Sequence, residues 1–371
     1  MRTRILFLIH DLAQGGAEKV LVNLVNNMDK TKYDITVMTL FDVGVNRQFM
    51  GKDLRYCYCF KKMFRGNSHI MKIWSPEQLH HRFIKEHYDI EVAYLEGPCA
   101  RIISGCSDQS TKLISWIHIE QHTQSKVAAS FRNYSEAKRC YNRFDKIVCV
   151  SETVKQDFVS LIGLKNTPCV LYNTNETNEI IEQAKEAVED VAFSDSEMNL
   201  IVVGKLTKTK GVDRILKIIY RLKQEKYPIH LFVLGVGAEE DKLRKYVRNH
   251  TLEKQVDFLG YQTNPYKYVA KSDLFVCGSY AEGFSTAATE ALIVGTPVCT
   301  VEVSGMKEML GYNNEFGIVT KNDDDALYKG IKCLLDDKEL LLNYKIKAKE
   351  RGKAFSTSNT VRAVENMLGS L

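Results

Sequence analysis

The feature that most limits what this chain can become is an alternation of short, β-branched apolar runs with amphipathic stretches, repeated along most of its 371 residues. Apolar runs at 4–9, 35–39, 90–94, 112–116, 146–150 and 169–172 are strand-sized, and helical patterns stand at 17–27 and 152–161. Runs of this length set between amphipathic helices predict parallel βα units. Leu21, Leu24, Val25 and Met28 recur at helical spacing, so the first helix has one face to bury. Residues 172–196 turn polar and acidic around a possible helix at 179–188, and a domain boundary belongs there. The alternation then restarts more regularly, with strand runs at 200–203, 230–234, 256–259, 274–277 and 297–301 and helical patterns between them. Helical patterns at 324–335, 338–355 and 358–371 close the chain. The expected fold is therefore α/β, with two Rossmann-like doubly wound domains: 1–172 forms the first, 173–198 a linker, 199–355 the second, and 356–371 a helix packing back on the first. Open sheets of this kind bind ligands beyond the C-terminal ends of their strands, so the site is expected in a cleft across which the domains face each other.

Composition narrows the class. With 44% hydrophobic and 26% charged residues the chain has a globular balance, which excludes fibrous repeats and long disordered tails. The longest apolar runs fall far short of the ~20 residues needed to cross a bilayer. The opening Met-Arg-Thr-Arg leads into only five apolar residues, against the ~7–15 of a secretory signal, so the start reads as a first strand. Ten cysteines are scattered without a C-x-x-C pair and are expected to be reduced thiols in a cytoplasmic protein. A net charge of +5 is too small to argue a nucleic-acid partner.

Several segments carry chemistry. The first strand runs into Gly15-Gly16, a glycine pair that opens a helix and lets backbone N–H groups approach an anion. It is not the G-x-G-x-x-G dinucleotide fingerprint. Gly235-Val236-Gly237 also follows a strand, but Glu239 and Glu240 come next, so it reads as a plain turn. The second domain opens with Gly204-Lys205, then Lys208, Lys210 and Gly211 ahead of a helix, a plausible clamp for a diphosphate. Farther on, Glu282-Gly283-Phe284-Ser285-Thr286 leads into a helix that carries Glu290. The small residues there leave the first helical N–H groups open to phosphate oxygens, and each carboxylate can accept two hydroxyl hydrogen bonds, as the diol of a sugar or ribose requires.

Taken in this order, the Gly15-Gly16 loop, Gly204-Lys205 with Lys210-Gly211, and Glu282-Gly283-Phe284 through Glu290 resemble the GT-B glycosyltransferases of family four across essentially the whole chain. The resemblance implies an acceptor-side N-terminal domain and a C-terminal domain for the nucleotide-sugar donor. It implies that Lys205 and Lys210 hold the donor diphosphate, with Gly16, Gly283, Phe284, Ser285 and Thr286 lining the donor. Glu282 would lie on the sugar hydroxyls and Glu290 on the ribose diol. His118, just after the run ending in Trp116-Ile117, matches the family's N-domain histidine near the anomeric centre, so Glu282 and His118 are the candidate catalytic residues. Two positions depart from the pattern. Lys205 stands where the family usually has arginine, which gives up the bidentate fork. Asn173-Thr174-Asn175-Glu176 stands where the family usually reads Asn-Gly-Val-Asp.

The implied activity is retaining transfer of a hexose or N-acetylhexosamine from a UDP-sugar to a glycan acceptor, lipid-linked, in cell-surface polysaccharide synthesis. No metal or other cofactor is expected. Asp323-Asp324-Asp325 has the D-x-D spacing of metal-binding glycosyltransferases, but a helical pattern follows it and capping explains it more simply. Lys61, Lys62 and Arg65 among Phe60, Met63, Phe64 and Trp74 suit an anionic membrane surface, as does the stretch from Lys126 to Arg143, so peripheral attachment to the inner face of the cell membrane is expected. Two other classes share the fold: a sugar-nucleotide epimerase and a non-catalytic sugar-nucleotide-binding subunit.

Overall fold

The computed structural model describes residues 2–371, which divide into two compact units. The first runs to Asn175 and also takes in Thr357–Leu371; the second is Glu176–Ser356. Residues 173–198 do not form a separate linker. The helix Thr177–Gln183 buries Ile180 against Tyr266 and Ile293, so the chain from Glu176 onward is part of the second unit.

The first unit is built on β1 (Thr3–Ile9), β2 (Tyr33–Phe41), β3 (Arg55–Phe60), β4 (Ile90–Ala93), β5 (Lys112–Ile117), β6 (Lys146–Cys149) and β7 (Cys169–Val170). These pair in the order β3-β2-β1-β4-β5-β6-β7, parallel throughout. β1 is central, with Ile5 registered on Ile35 of β2 and on Ile90 of β4. Its residues 5–9 are fully buried, the reason it reads as an unbroken apolar run rather than an alternating one. The terminal helix Thr357–Leu368 is tied in by Glu365 Oε1, which accepts the Asp29 N–H at 2.7 Å, and by Thr357 Oγ1, which donates to the Asn175 carbonyl at 2.6 Å.

The second unit holds β8 (Met198–Val203), β9 (Ile229–Leu234), β10 (Val256–Gly260), β11 (Leu274–Cys277), β12 (Val298–Val301) and β13 (Ile318–Thr320). Their order is β10-β9-β8-β11-β12-β13, again all parallel. The helix Val212–Gln224 packs Ile215, Leu216, Ile219 and Leu222 onto this sheet. In each sheet the strand order reverses beside the central strand, between β1 and β4 and between β8 and β11. At such a switch point the connections leave toward opposite faces and open a crevice at the strand C-termini.

The two strands absent from the sequence pattern, β3 and β13, are both edges. β3 is half-exposed along its length and β13 is three residues long, so neither writes an apolar run into the sequence.

Candidate active site

In the second unit the switch point is built from glycine-seated loops. A Cβ on Gly211 would fall 1.9 Å from the Gly278 carbonyl oxygen, so the loop after β8 and the loop after β11 meet backbone to backbone. Gly211 also has φ +63, a left-handed turn that ends the 3₁₀ segment Lys208–Lys210 and starts the helix Val212–Gln224. The Gly235-Val236-Gly237 segment, read from the sequence as a plain turn, is an irregular connection packed on the loop after β8: Leu206 donates its N–H to the Val236 carbonyl at 3.0 Å, and a Cβ on Gly235 would fall 1.9 Å from the Gly204 carbonyl oxygen.

This seating brings together side chains far apart in sequence. Lys210 Nζ donates to both oxygens of Glu282, at 2.6 and 2.8 Å, and Ser279 Oγ donates to Glu282 Oε1 at 2.6 Å. Lys210, Ser279, Glu282 and Ser285 line one pocket with Gly204 and Cys277, between the ends of β8 and β11. Ser285 caps the helix Thr286–Val294, its hydroxyl accepting the Ala288 N–H at 3.3 Å, so the helix begins at the pocket's edge. Burial and the nearby Glu282 charge push the Cys277 thiol up, which keeps it a neutral wall of the pocket.

The other expected donor residues of the second unit, Lys205, Gly283, Phe284, Thr286 and Glu290, are not in the lining of this pocket. Lys205 is exposed. Phe284 is buried, its ring 5.8 Å from that of Phe355, so its side chain anchors the Glu282-Gly283 loop. Glu290 is buried on the helix, with Tyr266 Oη 3.4 Å from its Oε1. Asp323 caps the helix Asp324–Asp336 by accepting the Ala326 N–H at 2.7 Å. Asp324 and Asp325 pair with Arg214 and Arg221 at 3.0 and 2.8 Å, so all three aspartates have structural partners.

In the first unit Gly16 opens the helix Gly16–Asn27, with Gly15 as its N-cap residue. The Glu18 carboxylate folds back over this start, close enough that a Cβ on Gly15 would meet it at 1.8 Å, so the protein's own anion sits at the helix N-terminus. Asn23 Nδ2 donates to the Thr174 carbonyl at 3.1 Å, fixing the segment that departs from the family pattern.

His118 follows β5 directly and is 7% exposed. Burial holds its imidazole down at about 4, only partly opposed by a hydrogen bond to the Tyr94 backbone, so the ring is neutral at physiological pH. Its Nε2 is buried and has no hydrogen-bond partner among the described residues. The backbone N–H of His118 donates to Glu96 Oε2 at 3.0 Å. Glu96, three residues past β4, and Ser279, in the lining of the pocket, are residues that the sequence reading passed over. The signal for both was the same, a polar side chain two or three residues past a buried strand.

Among the described residues two groups of side chains have metal-ligand chemistry: His80, Glu91 and Cys106, and Glu120, His122 and Asp157. The first is a buried pair, His80 Nε2 lying 2.8 Å from Glu91 Oε2. In the second, Asp157 is already engaged by the Gln121 N–H at 2.6 Å. Neither group is at the Lys210–Glu282 pocket.

Residues 14–177 match the family model described as Glycosyltransferase Family 4, and residues 183–351 the model described as Glycosyl transferases group 1. The chain is 27% identical, over 97% of its length and 98% of the relative's, to the N-acetylgalactosamine-N,N'-diacetylbacillosaminyl-diphospho-undecaprenol 4-alpha-N-acetylgalactosaminyltransferase of Campylobacter jejuni. It is 22% identical, over 88% of its length and 87% of the relative's, to the lipopolysaccharide core biosynthesis glycosyltransferase LpsE of Rhizobium meliloti. Its fold is similar to that of Anabaena HepE, solved with UDP and glucose, at a TM-score of 0.76 with 17% identity and full coverage of both chains. With two switch-point sheets and the Lys210–Glu282 pocket in the second, the chain belongs to the family-four glycosyltransferases of GT-B architecture.

Proposed function

We propose that this glycosyltransferase moves a hexose or N-acetylhexosamine from a UDP-sugar to a lipid-linked glycan of a cell-surface polysaccharide, with retention of configuration and without a metal ion. The observation that carries the reading is the meeting of Lys210, Ser279 and Glu282 at the second sheet's switch point, beside the start of the helix Thr286–Val294. An ammonium group has three N–H donors, and Glu282 takes two of those of Lys210, which leaves one for a phosphate oxygen. Lys205 and the first helical N–H groups supply the remaining positive field, the role a divalent ion plays in other transferases. Glu282, held by Lys210 and Ser279, keeps an Oε2 lone pair for a sugar hydroxyl, and Glu290 takes the ribose diol. The acceptor oxygen forms its bond to the anomeric carbon as the bond from that carbon to the diphosphate breaks. The diphosphate oxygen departs with the electron pair and takes the hydroxyl proton. What the protein contributes is placement and stabilisation of the charge growing on the diphosphate.

The Campylobacter relative's name records a diphospho-undecaprenol acceptor and an α product, the anomer that UDP-N-acetylgalactosamine itself carries, which supports both the lipid-linked acceptor and retention. Attachment to the inner face of the membrane rests on the first unit. Lys61, Lys62, Met63 and Arg65 are all exposed in the loop after β3, and Ile73 is 71% exposed nearby in sequence. Two of its aromatic residues pack together: Phe60 stacks on Phe41 at 5.7 Å and meets Phe64 at 5.2 Å. Met63 and Ile73 are the more exposed apolar groups, available to enter a headgroup layer. In the 126–143 stretch Phe131 and Tyr141 are buried and Tyr134 is half-buried, so it offers cations with less apolar surface. Among the described residues no helix is long and apolar enough to cross a membrane.

The test is UDP release from a panel of UDP-sugars in EDTA, with and without a polyprenyl-diphosphate-linked N-acetylhexosamine. Acceptor-stimulated release from one donor, with an α-linked product by NMR, is expected. Conversion of the donor to an epimer, or UDP binding with no release under any condition, would overturn it.

A further inference from the structure

Glu96 sits where a carboxylate is expensive. It lies just past β4 at the first sheet's switch point, half-buried, and its Oε2 accepts the His118 N–H at 3.0 Å. Among the described residues no lysine, arginine or histidine side chain lies within ion-pair distance of it. Burial pushes the Glu96 carboxyl up, and the His118 N–H, its own backbone N–H, the more distant Lys126 charge and the Gln121 side chain offset that desolvation only in part. Glutamine in its place could accept the same N–H, so the local fold does not call for the charge.

The position is also tightly set. Gly97 has φ +79 and donates its N–H to Tyr141 Oη at 3.2 Å, and Pro98 begins the helix Pro98–Ile103 immediately after. The backbone on both sides is thereby fixed, and the side chain is steadied by the neighbouring strand end. β4 and β5 are adjacent and in register, Ala93 on Ser115, so Glu96 and His118 stand on the same edge of one sheet. Beside the carboxylate, His118 contributes a neutral ring whose Nε2 is buried and unpartnered among the described residues. Two hydrogen-bond acceptors on one sheet edge, neither held in an ion pair among the described residues, suit neutral donors, and sugar hydroxyls are such donors.

We propose that Glu96 is an acceptor-binding residue, whose carboxylate receives a hydroxyl of the acceptor's terminal sugar beside the His118 ring. The proposal rests on the glycosyltransferase reading above and gives the first unit its polar contact with the acceptor. One Glu96 oxygen remains on the His118 N–H and the carboxylate stays ionised through transfer, since the hydroxyl proton leaves with the diphosphate.

The experiment compares the parent chain with Glu96→Gln, using the UDP-sugar that gives the greatest release and a polyprenyl-diphosphate-linked N-acetylgalactosamine as acceptor probe. Glutamine retains an acceptor for the His118 N–H, so folding, UDP affinity and slow transfer to water should match the parent within about twofold. Transfer to the probe should fall roughly 10- to 100-fold, the scale of a lost charged hydrogen bond. The acid limb of the parent's kcat/KM profile for the probe should be absent from the residual activity of the variant. Equal transfer to the probe by parent and variant overturns the proposal. Parallel loss of hydrolysis and transfer also overturns it, showing a structural role or a role toward the donor. A parent that hydrolyses donor but never uses the probe refutes the lipid-linked acceptor, and with it this assignment. A parent that never releases UDP refutes the transferase reading itself.

Discussion

Lys210 and Glu282 form a two-pronged ion pair, Nζ at 2.6 and 2.8 Å from the two carboxylate oxygens, although 72 residues separate them in the chain. Each partner holds the other at the strand ends of the second sheet's switch point. Removing Lys210 leaves the Glu282 carboxylate, 9% exposed, with only Ser279 as its donor. Lys210→Ala should therefore lose UDP affinity by ~1.5–3 kcal/mol and also lose stability. In denaturant unfolding, the Lys210→Ala, Glu282→Gln double variant should recover part of that loss. The coupling should be on the order of 1 kcal/mol, below that of a fully buried pair because the lysine is partly solvated. Additive single effects would show that the pair is not energetically coupled.

The two glutamates should separate in calorimetry. Glu282→Gln frees the Lys210 ammonium, so UDP binding should hold or tighten while sugar transfer falls. Glu290→Gln should weaken UDP itself through the ribose. Matching UDP losses in the two variants would contradict their roles.

Stability should peak near pH 6.5, with a different histidine responsible on each side. His118 has its folded value depressed from 6.5 to about 4. The unfolded chain binds that proton first, so stability present above pH 6.5 is lost as pH falls toward 4. For His80, burial opposes the charge, but hydrogen bonds with Cys106 and Glu91 outweigh it and raise the ring to about 9. That stability is complete below pH 6.5 and lost as pH rises through 9. Each shift corresponds to about 3 kcal/mol. Melting temperatures across pH 4–9 should lose their acid slope in His118→Gln and their alkaline slope in His80→Gln.

Arg101 is 1% exposed and pairs with Glu136 at 3.1 Å while donating to the Met71 and Trp74 carbonyls at 2.8 and 2.7 Å. Glu136→Ala would leave that guanidinium buried and unpaired, a cost of about 3–5 kcal/mol. Loss of the pair should also loosen residues 71–74, read as faster amide exchange there than in β1. Unchanged denaturation midpoints would show that water replaces the carboxylate.

Binding to anionic vesicles should depend on Lys61, Lys62 and Arg65 at about 1 kcal/mol each in low salt. Charge reversal at all three should abolish flotation, and Met63→Ser with Ile73→Ser should reduce it. Phe60→Ser should mainly destabilise, because that ring is stacked on Phe41. Equal flotation of parent and charge-reversed chains would mark the patch as a solvated face.

The central strands were legible because β1, β8 and β11 are buried on both faces along the unbroken apolar runs 5–9, 200–203 and 274–277. β3 was not: Arg55, Tyr56, Cys57, Tyr58, Cys59 and Phe60 alternate on a half-exposed edge, so the same letters that look like a membrane patch are partly a strand. That strand turns Phe60 inward, which no composition argument reveals. In the site, the spacing of Lys210, Gly211, Glu282 and Ser285 carried over, since short loops after buried strands fix such residues locally. The Lys210–Glu282 contact was illegible because it depends on two loops meeting, and Glu96 because a polar residue after a buried strand is too common a signal to single it out.

The contact of Gly211 with the Gly278 carbonyl has a consequence for how such a site can change. Two loops joined through their main chains share one position: neither can take on a side chain at the joint or shift alone. On the proposed reading, the main chain that would receive the phosphates is fixed at this joint without relying on the side chains that would distinguish one sugar from another. Substitutions around Ser279 and Glu282 can retune the donor's hexose while the nucleotide end stays in register, whereas any non-glycine residue at 211 should disable every donor alike.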